Sequence, residues 1–428
     1  IYFGQLSKYQ MEYLKDLPFN PKSPTIMHID MNSCFATVEQ QADVMLRNKP
    51  IAVAAYKTDN GCIIAPSVEA KKLGIKVGMR VKEGRMLCPE LIVLEPDPWK
   101  YRNVHIGIKN ILSTYTNKIA PKSIDEFVID LESFPSMKKG IINVGLEIKE
   151  RIKKEVGDYI TVSIGIAPNR FLAKTAAGLT KPNGLDTIDK TNHLEIFSRL
   201  ELNDLCGIKA NNTVRLNKAG IFSVLDFYNS SAKKLKMAFN SIVGYYWYMR
   251  LHGWEPDDVI SNRQSFGNSV ALQGKYEKPE ELSPILMKLI HKMSGRMRKA
   301  GYTAHGVHLS LLYKNGSFWH QGKSVKEDLF STGDIYKIAY KTLLHSPYRF
   351  PVHTIAVSCF NLSKIKNSQL DFFDNIQKKK LLTDALDDIS ERWGDFVITP
   401  AMMLNTKDLV KDRISFGGVR ELEDLITI

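Results

Sequence analysis

Three carboxylates stand where apolar runs meet polar turns. Asp125 and Glu126 are adjacent, at the head of the run Phe127-Val128-Ile129-Asp130-Leu131. Phe127, Ile129 and Leu131 fall on one parity, Val128 and Asp130 on the other, which predicts a half-buried strand entered through a turn at 121–123. Two like charges beside an apolar strand cost free energy unless a cation sits there. Mg2+ suits such hard oxygen ligands, above all when a substrate phosphate shares the ion. A solvated hairpin turn is the alternative that this stretch leaves open. Asp30 ends a second apolar run, Thr25-Ile26-Met27-His28-Ile29, and a polar turn and a helix from Phe35 to about Ala42 follow it. A lone strand-terminal aspartate more often caps a helix than binds a metal. With Asp125 and Glu126, however, it completes the set that two-metal phosphoryl transfer needs, in which carboxylates hold two ions about 3.5–4 Å apart.

These acids lie in longer motifs. The stretch His28-Ile29-Asp30-Met31-Asn32-Ser33-Cys34-Phe35-Ala36-Thr37-Val38-Glu39 resembles the first motif of the Y-family translesion DNA polymerases. Ser123-Ile124-Asp125-Glu126 resembles their second acidic motif. Ser163–Lys174 and Lys181-Pro182-Asn183-Gly184 resemble their third block. The four occur in the family's order, and the resemblance, to the bacterial polymerase IV and V type, runs from about Thr25 to near the C-terminus.

That resemblance implies a template-directed enzyme that extends a primer with deoxynucleoside triphosphates, with low fidelity and no proofreading. It implies two Mg2+ ions, with Mn2+ as a substitute. Asp30 and Asp125 would hold both, the carbonyl of Met31 would complete the ion that carries the triphosphate, and Glu126 would support the ion at the primer 3′-hydroxyl. Ser33, Cys34, Phe35, Lys71 and Lys181 would bind the nucleotide, with the Phe35 ring under the sugar excluding a 2′-hydroxyl. The family has an aromatic residue and an arginine on the helix after Pro66, where this chain has Val68 and Lys71. Lysine offers a point charge there rather than a bidentate fork.

Positioning these groups requires an α+β, multidomain chain. Strand, helix, strand, strand, helix, strand over 25–34 and 95–188 suggests a ferredoxin-like palm. Within it, helices are expected at 101–117, 140–156 and 170–179, and a strand at 159–167. Residues 35–94 would be small fingers, with strands at 50–55 and 61–65 and a helix at 67–73. Residues 189–254 would be a helical thumb. In it, helix, Gly207-Ile208 turn, helix, then Ala219-Gly220-Ile221 reads as a helix–hairpin–helix, whose N–H groups grip a DNA phosphate without reading sequence. Lys209 stands where that motif usually has its second glycine, and a purely structural hairpin is the alternative. After a linker at 255–264, residues 265–368 alternate strands and helices as a second βαββαβ-like unit, the little finger, laid by resemblance in the DNA major groove. Its helix 284–301 carries Lys288, Lys292 and Arg296, candidates for the DNA backbone. Residues 1–24 precede the motifs and suggest a short helix packed on the catalytic domain, or a partner-binding arm.

In the segment 369–428, Gln369-Leu370-Asp371-Phe372-Phe373 resembles the sliding-clamp-binding pentapeptide of bacteria. The bland alternative is that its apolar residues pin the C-terminal helix. The net charge of +13 suits a polyanionic partner such as primer–template DNA. Five scattered cysteines without a CxxC pair fit a reducing compartment and no structural zinc. No membrane-length apolar run or basic leader is present, and the chain opens on Ile1, which points to a trimmed terminus. The expectation is a cytoplasmic, nucleoid-associated monomer. Two rivals are a nucleotidyl cyclase on a palm, which would need no duplex-binding parts, and a catalytically idle DNA-bound scaffold, which would need no intact acids.

Overall fold

The computed structural model describes residues 17–256, 263–272, 274–347, 349–364, 376–394 and 396–403. The helix expected before Leu17 and the pentapeptide 369–373 lie outside them. The chain forms two compact units, divided between 256 and 263.

In the first unit, β1 (Ile26–Met31) turns through Ser33, in the left-handed region at φ 52°, into α1 (Cys34–Ala42). A second small layer follows: β2 (Ile51–Ala54), β3 (Ile63–Pro66), α2 (Val68–Lys72), α3 (Val81–Leu87) and β4 (Ile92–Leu94). Its sheet runs β3-β2-β4, with β3 antiparallel and β4 parallel to β2. The central strand is therefore apolar throughout, Ile-Ala-Val-Ala, and wholly buried. The next helix, α4 (Pro98–Ser113), starts earlier than its apolar spacing predicted, because Pro98 sits at its first turn and Asp97 accepts from the Trp99 N–H. It also ends earlier, so Tyr115 is buried just beyond it.

The hairpin β5 (Ile119–Pro121) and β6 (Glu126–Asp130), then α5 (Ile141–Arg151), β7 (Val162–Ala167), α6 (Arg170–Leu179) and β8 (Leu185–Thr187), complete the main sheet. Its order is β5-β6-β1-β7-β8. Without the edge strand β8 this is the ferredoxin-like arrangement, with β1 central and antiparallel to both neighbours. The strand period of two sorts the side chains. Met27, Ile29, Phe127 and Ile129 join one core with Val144 and Ile148 of α5 and Ile108 and Leu112 of α4. The other face carries His28 and Asp30, and α6 packs over it. Gly165, paired with His28, makes that packing possible: a Cβ there would lie 2.0 Å from the Ala173 carbonyl oxygen.

Five short helices follow: α7 (His193–Arg199), α8 (Ala210–Lys218), α9 (Val224–Asn229), α10 (Ala232–Phe239) and α11 (Val243–Leu251). They share a core with α6 that includes Leu172, Leu216, Phe227 and Trp247. The arm before the Gly207 turn is a single 3-10 turn, Leu202–Asp204, where a helix was expected. Gly207 takes φ 90° against the Trp247 ring, whereas Lys209 is extended at φ −132° and immediately precedes α8. The missing second glycine therefore leaves the turn undistorted. Residues 17–20 are strapped to this bundle. The Leu17 N–H donates to the Tyr248 hydroxyl, Asn20 is bonded to His252 and Gly253, and Phe19 stacks on His193.

The second unit runs β9 (Ser265–Ala271), α12 (Pro279–Lys299), β10 (Tyr302–Tyr313), β11 (Phe318–Leu329), α13 (Thr332–Leu344), β12 (Val352–Lys364) and α14 (Ile376–Trp393). The succession β9 to β12 matches β1, α4, β5, β6, α5 and β7 of the first unit, but the sheet order is β11-β10-β12-β9, so here the first strand lies at an edge. One apolar core joins α12 and α13 to the sheet. Helix α12 begins at Pro279 rather than Pro284, because Glu281 accepts from the N–H groups of Glu277 and Lys278.

Candidate active site

Asp30 of β1 and Glu126 of β6 are directly paired across the sheet. Paired residues of antiparallel strands share a face, so both carboxylates lie on the side that α6 covers, near the ends of their strands. Asp125 precedes β6, and its carbonyl accepts from the Met31 N–H at 2.9 Å. Its carboxylate Oδ1 accepts from the Ser123 hydroxyl at 2.5 Å. Burial pushes the carboxyl pKa of Asp30 and Asp125 up, partly offset by Lys181 at Asp30 and by Ser123 at Asp125. Glu126 pushes both further up, Asp30 does the same to Asp125, and Lys174 pulls Asp30 back down.

His28 lies two residues below Asp30 on the same face, fully buried, with neither ring nitrogen hydrogen-bonded. Burial drags its pKa down to about 4, so it is neutral although Glu126 Oε2 is 3.8 Å away. Ligand atoms of His28, Asp30 and Glu126 lie within 4.8 Å of one another. The partly buried oxygen donors fit Mg2+ or Mn2+, whereas an imidazole suits softer ions. The residues present therefore fit the expected divalent cations through their carboxylates.

Two lysines balance these acids. Lys174, from the middle of α6, places Nζ 2.7 Å from both Glu126 oxygens. Lys181, in the turn after α6, bonds Asp30 Oδ2. Asn32 fixes that turn against β1: its side-chain oxygen accepts from the Asn183 N–H at 2.8 Å and from the Thr161 hydroxyl, and its amide donates to Ser163. Lys71, on α2, is within electrostatic reach, since burial and then Lys181 lower its pKa while Asp30 and Asp125 raise it. Sequence reasoning gave no role to Lys174, Asn32 or His28. Only the strand period of two, which puts His28 on the face of Asp30, could have signalled one of them.

The other expected nucleotide ligands surround the start of α1. Ser33 makes no side-chain cap, its hydroxyl is buried without a partner, and Cys34 is buried behind it. A helix start of this kind points its first N–H groups outward, the geometry that suits an anion. The Phe35 ring stacks on Tyr101 at 4.2 Å between centroids, inside the core, and the Tyr101 hydroxyl donates to Glu39.

The expected DNA contacts on α12 sit differently. Lys288 is only 4% exposed, with its ammonium 5.2 Å from the centre of the Phe396 ring. Lys292 lies over the same ring at 5.7 Å, and Arg296 donates to the Gly267 carbonyl at 2.7 Å. Phe396 lies over Lys288 and Lys292, and the short turn Ala401–Met403 packs on α12, whereas Arg296 reaches across to β9. Contact of Lys288 and Lys292 with a DNA backbone would require them to leave the Phe396 ring.

Comparison with known proteins is consistent across the chain. The impB/mucB/samB family matches residues 29–178, and that family's C-terminal domain matches 263–372. DNA polymerase IV of Pelotomaculum thermopropionicum is 30% identical over 91% of this chain and 97% of its own length. DNA polymerase IV of Moorella thermoacetica is 31% identical over 89% and 96%. Among solved structures, a Y-family DNA polymerase chimera of Dbh and Dpo4 superposes with TM-score 0.69 and 25% identity, covering 79% of this chain and 99% of that one. An insertion ternary complex of Dbh DNA polymerase gives 0.55 with the same coverage.

Proposed function

Because this chain belongs to the Y-family DNA polymerases, and so performs template-directed translesion DNA synthesis, we propose that Asp30, Asp125 and Glu126 are its catalytic carboxylates. The observation that carries this is the direct pairing of Asp30 with Glu126, with Asp125 tied to Met31 beside them. It brings Asp30 and Glu126, far apart in the chain, onto one sheet face, with Asp125 next to Glu126 at the strand entry. Two divalent cations held there, Mg2+ or Mn2+, would activate the primer 3′-hydroxyl and stabilise charge on the reacting phosphate. The carbonyl of Met31 adds an oxygen ligand at the Asp30 end.

The chain's own groups do the rest. Ser33, Cys34 and Phe35 offer the start of α1 to the triphosphate, and Lys71 adds a point charge. Lys181 exchanges Asp30 for the leaving pyrophosphate, held in reach by the Asn32–Asn183 bond. Phe35 walls off the sugar. For primer–template DNA, the Gly207–Lys209 turn at the start of α8 grips a phosphate. In the second unit the hollow on the sheet lined by Arg263, Ser265, His308, Ser358 and Lys364 faces the duplex. Gln369, Leu370, Phe372 and Phe373 dock on a sliding clamp.

A cyclase has no use for the duplex-binding parts, and an idle scaffold has no use for the acids. Primer extension with and without Mg2+ separates these readings. Asp125→Ala should lower single-nucleotide incorporation by at least about a hundredfold, the usual scale for losing transition-state charge stabilisation. Primer–template binding measured by fluorescence anisotropy should stay near wild type. Near-normal incorporation by the variant would refute the assignment.

A further inference from the structure

Lys174 is drawn into this site from outside the expected set. It stands in the middle of α6, and its ammonium takes both oxygens of Glu126 at once. Lys181 engages Asp30 from the following turn, so two of the three acids already carry a cation supplied by the chain. A carboxylate cannot give the same lone pairs to an ammonium and to a divalent ion.

We propose that Lys174 is a resident counter-ion of Glu126, a positioning residue that withdraws when a divalent cation takes the carboxylate and so sets how tightly the free enzyme holds that cation. This rests on the two-metal reading above. The geometry allows the exchange without backbone movement. The Lys174 side chain is 36% exposed, so its long stem has solvent to swing into, while the Glu126 side chain is only 19% exposed and stays with the sheet. Glu126 shares its face with Asp30, and without Lys174 the Glu126 charge would have no cation of its own, leaving only Lys181 at Asp30 to offset the repulsion between them. Lys174 therefore stabilises the empty site and competes with the cation that fills it. Substrate phosphates, by adding ligands to the ion, tip the exchange, so full loading waits for the nucleotide.

The test is Mn2+ binding to the full chain without DNA or nucleotide, read from the electron paramagnetic resonance signal of free Mn2+. Lys174→Met should bind Mn2+ about five- to tenfold more tightly than wild type, the scale of one partly exposed ion pair. Lys174→Arg, which keeps the charge, should bind like wild type, and Asp125→Ala should bind more weakly. A merely structural role predicts the opposite sign, since a damaged site loses affinity. Thermal melting in EDTA should show Lys174→Met below wild type, with the gap closing at saturating Mn2+. Lys174→Gln serves if the methionine variant does not fold. Wild-type or weaker affinity in a folded Lys174 variant would overturn the proposal while leaving the two-metal reading in place. If no protein binds Mn2+, and Asp125→Ala matches wild type, both fall.

Discussion

Phe35 is both a core residue and the proposed wall under the sugar. At 1% exposure it packs face to face on Tyr101, whose hydroxyl is anchored on buried Glu39. That stack holds the ring in place, so that on the proposed reading it would resist an added 2′-hydroxyl rather than tilt away. Phe35→Ala should therefore raise ribonucleotide incorporation relative to deoxyribonucleotide on the order of tenfold to a hundredfold, in single-turnover assays with matched UTP and dTTP. The same change empties a core position, a loss of about 3–5 kcal/mol for a buried phenylalanine, so the melting temperature must fall as well. A destabilised variant with unchanged sugar choice would make Phe35 a packing residue alone. The three acids were legible because each interrupts an apolar run. Lys174 and Asn32 were not, since a lysine on a helix and an asparagine in a turn are ordinary in those places, and only the fold brings Lys174 to Glu126 and Asn32 to Asn183.

Helix α6 does the most positioning. It packs over β1 and β7, carries Lys174 and delivers Lys181, and its approach depends on one missing side chain. Gly165→Ala would put a methyl carbon 2.0 Å from the Ala173 carbonyl oxygen and 2.1 Å from the Ala177 nitrogen. Backbone atoms cannot step aside singly, so the whole helix must lift. Overpacking of this kind costs about 1–3 kcal/mol. Melting should register that loss, and incorporation at a temperature where the variant is fully folded should drop further, because both lysines move with the helix. Activity equal to wild type in the folded variant would mean that the exact seat of α6 does not matter. Elements were readable where an apolar period coincided with a cap, as at α6, where Asn169 accepts from the Leu172 N–H. They were misjudged where the period ran past the cap or started inside it, as at α4 and α12. At α12 the spacing of Lys288, Lys292 and Arg296 correctly marks one stripe of a helix. Spacing alone is silent on what meets the stripe, and here Phe396 lies over Lys288 and Lys292.

At the scale of the whole molecule, the chain couples a catalytic unit to a second βαββαβ unit through a short linker, and a tether to a clamp would act on both. A polymerase with few sequence-specific contacts gains from tethering, which raises the effective concentration of primer ends without new contacts at the active site. Changing Gln369, Leu370 and Phe373 together to Ala should leave distributive extension of a bare primer unchanged and abolish stimulation by the cognate clamp, read as product length on a long template. If the triple variant instead melts early and loses basal extension, those residues are core.

The order of motifs along the chain determined the family, the acids and the alternation of strands and helices, because these reside in residue types and local period. Which strands become neighbours did not follow from that alternation. Two units with the same succession of elements place their first strand differently, central in one and at the edge in the other. Strand neighbours are chosen by long-range packing of faces, and the partners of a charge are chosen with them. The tertiary structure alone decided that Glu126 meets Lys174, that Asp30 meets Lys181, and that the basic stripe of α12 lies against an aromatic ring.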